Sequence, residues 1–224
     1  MTSDELIADA EAIAKPCFTL AASGQGQVMG YWGGSRADLS DEFPPEVKFE
    51  RRRHIASVDG ALLARLGTEA PALVSLYEWI DRDEDSHLVV ETDARKPWAT
   101  LGFSGEPLYA TERVSFPPFE ALCLHGSARV GDWLRSLGLG RYQYWKAPRE
   151  IVEAYARTYQ ARLGELHAGA DLVVGGWHDM WPEDDYYMPA EMTYVLRTLR
   201  DAEPWYTVWY SPMSRGCFAR THVT

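Results

Sequence analysis

One long amphipathic pattern set among many short ones constrains this chain more than any other feature. It opens at Pro148, a residue suited to the first position of a helix. Val152, Tyr155, Tyr159, Leu163 and Leu166 then follow at steps of 3, 4, 4 and 3, the spacing that puts apolar side chains on one helical face. Glu153 and Arg157 stand four apart in the favoured order. The remaining segments are shorter. Thr2 and Glu5 have capping-box spacing ahead of the stripe Leu6, Ile7, Ala10, Ile13 and Ala14, which Pro16 stops. Asp59 caps a short helix ending at Gly67, and Ser127 to Leu137 reads as another.

Strands account for much of the rest. Cys17 to Ala22 and Gln27 to Trp32 flank Ser23-Gly24-Gln25-Gly26 and are expected to form a hairpin. Lys48 to Val58, His87 to Glu91 and Asp171 to Val174 also read as strands, whereas Ala72 to Ile80 suits either a strand or a helix. A helix is expected from Pro189 or Ala190, with Met192, Val195, Leu196 and Leu199 inward and Arg197 and Arg200 at its C-terminal end. Trp205 to Tyr210 and Cys217 to Val223 are expected to close the chain as a hairpin. Strands and helices mix without regular βαβ alternation. The expectation is therefore α+β: a mixed, mainly antiparallel sheet with about four to five helices in a single compact domain, residues 1–224. Any division of that domain falls near 138–147.

Composition narrows function by exclusion. Acids outnumber bases by 33 to 22, for a formal charge of −11, which repels phosphate backbones and anionic lipid. Neither nucleic acid nor a membrane is an expected partner. The one basic run, Arg51-Arg52-Arg53, lies in a strand pattern and reads as its solvated face. Cys17, Cys123 and Cys217 are odd in number, far apart and flanked by apolar residues, the pattern of buried free thiols. The acidic N-terminus lacks signal-peptide chemistry, and no apolar run approaches the ~18 residues of a membrane helix. A cytoplasmic location is the expectation.

The segment from Gly175 to Glu191 concentrates polar chemistry at a strand end, where binding groups tend to sit. His178 and Asp179 are its candidate catalytic pair, the carboxylate orienting the imidazole as a base. His178, Asp184, Asp185 and Glu191 are candidate ligands for a divalent ion, the basis for reading the chain as a small metal-dependent hydrolase. Against this, no second His stands at i+3 or i+4, and acids ahead of a helix serve as ordinary caps. Gly24 to Gly30 spaces its glycines loosely like a dinucleotide loop but precedes no helix, so no phosphate cradle forms. The preferred reading is a non-enzymatic, acidic protein-binding module without a cofactor, in concrete form an immunity- or antitoxin-like protein neutralising a basic partner. Aromatic anchors and acids suit such an interface. Its candidate contact residues are Trp177, Trp181, Asp184 and Asp185 in one stretch and Asp81, Asp83, Glu84 and Asp85 in another.

Overall fold

The computed structural model describes residues 1–34, 51–68, 71–80, 86–93, 104–177, 193–200, 205–211, 213–214 and 216–222. These contain ten strands: β1 (Lys15–Ala21), β2 (Val28–Trp32), β3 (Arg51–Asp59), β4 (Leu73–Ile80), β5 (Ser86–Asp93), β6 (Glu106–Ser115), β7 (Leu172–Gly175), β8 (Thr193–Thr198), β9 (Trp205–Ser211) and β10 (Gly216–His222). Five α-helices accompany them: α1 (Ser3–Ala12), α2 (Gly60–Arg65), α3 (Phe119–His125), α4 (Ala128–Ser136) and α5 (Arg149–His167). A 3-10 helix spans Arg141–Lys146.

The chain divides into two compact units, each with its own core. One holds α1, α3, α4, the 3-10 helix and α5, together with the strand ends Lys15–Cys17, Glu112–Ser115 and Gly175. Its core gathers Leu6 and Ala10 of α1, Leu122 of α3, Leu134 of α4 and Tyr155 of α5. The Thr2 side chain accepts from the Glu5 amide at 3.3 Å while the Glu5 carboxylate accepts from the Thr2 amide at 2.7 Å, so the expected capping box is present. Glu153 pairs backwards with Arg149 at 2.6 Å.

The second unit is the strand unit. The sheet order is β10-β9-β8-β7-β1-β6-β2-β3-β4-β5. β10 also approaches β5, so the sheet curls almost onto itself as a barrel. The curl brings the two end strands, the edges an open sheet of this width would leave far apart, close to each other. The interior is filled by Leu20, Val58, Leu76, Leu108, Val174, Val195 and Val208, all fully buried. α2 starts as expected, Asp59 accepting from the Ala61 amide at 2.8 Å. Arg53 lies opposite Glu78 in the β3–β4 register and pairs with it at 2.7 Å, which is how a solvated strand face accommodates a basic run.

The structure overturns the expected fold class. β2 is antiparallel to β3 and β6, β3 to β4, β4 to β5, and β7, β8, β9 and β10 follow one another in antiparallel succession. The sheet is thus a nearly closed antiparallel barrel rather than a mixed sheet, and the described residues hold six helices rather than four to five. α3 and the 3-10 helix are the elements the sequence did not suggest. Two local expectations fail with it. β1 and β2 are not a hairpin, because β6 lies between them and takes the β2 edge through Gly30↔Leu108 and Trp32↔Glu106. The glycine-rich link instead passes tightly over β6: a Cβ on Gly24 would stand 2.5 Å from Cβ of Tyr109.

The helix expected from residue 189 or 190 is likewise absent over residues 193–198, where β8 runs. Tyr194, Val195 and Leu196 are consecutive and all buried, so both faces of β8 are covered. A short apolar run buried on both faces matches helical spacing by accident. Pairing with β7 and β9 occupies both of its edges. Arg200, read as a cation at that helix's end, instead bridges Asp171 at 3.0 Å and Glu106 at 2.5 Å. Ala72 to Ile80 resolves as β4 and the closing hairpin as β9–β10, paired Gly216↔Ser211 through His222↔Trp205.

Candidate functional site

Most of the residues nominated from the sequence lie outside the described residues: His178, Asp179, Trp181, Asp184, Asp185 and Glu191, and Asp81, Asp83, Glu84 and Asp85. Trp177 is described, and it is firmly held. Gly175 and Gly176 leave β7 with φ of 71° and 87°, and a Cβ on Gly176 would meet Cβ of Ser115 at 2.6 Å. Only glycine allows that backbone to pass so close in a left-handed conformation. The turn delivers the Trp177 amide to Ser115 Oγ at 2.9 Å and its indole Nε1–H to the Ile13 carbonyl at 2.9 Å. Ile13 is the C-cap of α1, so the indole donates at a helix end where carbonyls lack helical partners. The Lys15 ammonium sits 3.6 Å from the ring centroid, and the His125 ring centroid lies 5.7 Å away. With both N–H groups committed and one cation against its ring, Trp177 is a staple of the helical unit.

Two other aromatic side chains of that unit are offered to solvent. Tyr142 is 77% exposed and Trp145 is 65% exposed, three positions apart on the 3-10 segment and on either side of a kink at Gln143, whose φ of −114° and ψ of 22° are not helical. The helix beneath them is fixed at several points. Arg141 Nη1 donates to the carbonyls of Leu124 and Cys123 at 2.6 and 3.3 Å, a cation at the C-terminal end of α3. Gln143 Oε1 accepts from the Gly140 amide at 3.1 Å. Tyr144 turns inward, its ring centroid 6.4 Å from Phe119 in an edge-to-face contact, and Trp145 stands edge-on to Tyr144 at 5.6 Å. Of the nearby cations, Arg135 pairs with Asp132 and Arg149 with Glu153. The result is a pair of large amphipathic rings on a braced mount, with Leu137, 41% exposed, a few residues upstream. Three aromatics within Arg141–Lys146 are visible in the sequence, but the exposure of Tyr142 and Trp145 is not: the pattern gives no face until the local structure is known.

The His54–Ser57–Ser75 chain and the thiols of Cys17 and Cys123 are buried, and Cys217 is half-buried. His54 is buried and its Nδ1–H donates to the Gly33 carbonyl at 2.6 Å. In the neutral ring Nε2 then accepts from Ser57 Oγ at 2.7 Å, and Ser57 Oγ accepts from Ser75 Oγ at 2.6 Å. Ser57 and Ser75 have no exposed surface, so this chain serves the barrel interior as a satisfied polar network and presents no hydroxyl to a substrate. Cys17, Cys123 and Cys217 are free thiols, and burial pushes each up to about 12. Thiols so held stay protonated and unreactive at neutral pH. Among the described residues no three metal-ligating side chains converge. No described helix is long and apolar enough to cross a membrane. Comparison of the chain with protein-family models, with curated proteins and with solved structures finds no match.

Proposed function

We propose that this chain is a non-enzymatic protein-binding module that acts in the cytoplasm, in concrete form an immunity- or antitoxin-like protein neutralising a basic partner. The observation that supports it is the exposed pair Tyr142 and Trp145 on its braced 3-10 helix. Trp and Tyr dominate the energetics of protein interfaces because one rigid side chain covers much area and still offers a polar tip. A mount already fixed by Arg141 and Tyr144 loses little freedom on binding, which favours affinity. The formal charge of −11 supplies the second element. A long-range negative field speeds encounter with a basic surface and discriminates against acidic ones.

The test is a tagged chain used as bait in its source cell, followed by affinity measurement on the purified partner. Replacing Tyr142 and Trp145 by Ala together is expected to weaken binding at least about a hundredfold, the scale of two interface anchors. Raising ionic strength is expected to slow association while leaving dissociation nearly unchanged. A recovered partner that is acidic, or one bound equally by the double variant, overturns the proposal.

A further inference from the structure

The helical unit contains a cleft of about 420 Å³, within the size range of small-molecule sites. Its walls come from the end of α1, the end of β6 and the last turns of α5. Four of the lining residues are charged, two acidic and two basic. Arg162 lies 3.6 Å from Glu11 and 3.8 Å from Glu165, contacts too long for hydrogen bonds, and all three side chains are more than half exposed. That group therefore holds two carboxylates for one guanidinium. Arg113, also exposed, has no ion-pair partner among the described residues, so its guanidinium is uncommitted. The remaining wall is apolar, with Leu166 buried, Phe116 half-buried and Val114 66% exposed.

We propose that this cleft binds a small zwitterion with an apolar body, the chemistry of a free hydrophobic amino acid. The carboxylate of such a molecule matches the planar fork of Arg113, which binds carboxylates in bidentate fashion. Its ammonium group matches the surplus negative charge of Glu11 and Glu165. Its side chain covers Phe116 and Val114, removing from water an apolar surface that the folded chain leaves open. A simple anion would meet the two glutamates and a simple cation would meet Arg113, so each single-charge ligand finds a like charge in the lining.

Calorimetric titration of the whole chain tests this with L-phenylalanine, N-acetyl-L-phenylalanine and L-phenylalaninamide as probes. Phenylalanine is expected to bind with a Kd of about 1 mM or tighter. Each blocked form, lacking one of the two charges, is expected to bind at least about tenfold more weakly, the scale of one charge-assisted hydrogen bond. Arg113→Gln is expected to reproduce the loss seen with the amide, and Glu165→Gln part of the loss seen with the N-acetyl form. Absence of saturable binding by phenylalanine, or equal binding of either blocked form, overturns the proposal. The probe series runs on the unaltered chain and decides the matter even if a variant fails to fold.

Discussion

Removing a single oxygen atom tests the helical core most directly. Tyr155 is fully buried near the middle of α5, and its hydroxyl donates to the Pro117 carbonyl at 2.7 Å. Its ring packs against Phe116 and Phe119 with centroids 5.7 and 5.4 Å away. Tyr155→Phe keeps the ring and its packing and deletes only the donor. A net hydrogen bond is worth about 1 kcal/mol, and a buried carbonyl left without its donor raises the cost to between ~1 and ~3 kcal/mol. We expect a loss of about 1.5 kcal/mol, or some 3–6 °C in Tm for a chain of this size. Tyr155→Ala also empties the ring's space and is expected to cost about 3–5 kcal/mol. Urea unfolding followed by tryptophan fluorescence measures both. A Phe variant with the midpoint of the parent chain would refute the reasoning, because it would mean that the hydroxyl exchanges its protein partner for water at no cost. Burial also holds the Tyr155 phenol far above its ordinary value, so alkaline titration by absorbance is expected to leave one tyrosine protonated until the chain unfolds.

Three further outcomes follow from geometry already described. Gly176→Ala places a Cβ against Ser115 in a left-handed backbone and is expected to cost more than about 1 kcal/mol while altering Trp177 fluorescence; melting and emission spectra check it. Ser75→Ala removes the donor at the head of the His54 chain and leaves Ser57 Oγ short of a partner, for an expected loss of about 1–2 kcal/mol in the same urea experiment. The three thiols are held up to about 12 in the folded chain against an ordinary value near 9. Their folded-state pKa values are raised, so the stability they contribute is complete below pH 9 and declines as pH rises toward 12. A denaturation series across that window reads the decline, and a thiol reagent at pH 8 is expected to label neither Cys17 nor Cys123 until denaturant is added, and half-buried Cys217 before either of them.

What was legible in the sequence was local. The Thr2–Glu5 box, the Asp59 cap, α5 and the closing hairpin each depend on residues a few positions apart, and each is present. What was illegible depends on residues far apart in the chain. Ser23 to Gly26 bears the composition of a hairpin turn, yet the strand that fills the space between β1 and β2 comes from Glu106–Ser115. No local signal announces such an insertion. Residues 193–198 follow the spacing of a helical face because a strand covered on both sides has no alternation to display. Of the candidate site, Trp177 stands out in the sequence for its indole, yet the indole N–H is spent on the Ile13 carbonyl and the backbone amide on Ser115 Oγ, contacts that no pattern of residue types encodes. Tyr142 and Trp145 were overlooked because a six-residue 3-10 turn is too short to show periodicity.

The near-meeting of β5 and β10 has a consequence for how the chain is made. β5 ends at Asp93 and β10 begins at Gly216, so the barrel's seam joins strands that leave the ribosome many seconds apart. Until β10 emerges, no strand lies beside the outer edge of β5. A curled sheet whose closing contact spans so much chain pays its loop entropy late and folds slowly. The interval between those two strands is therefore when the nascent protein is most exposed to pairing with a neighbour, and when a chaperone would matter most.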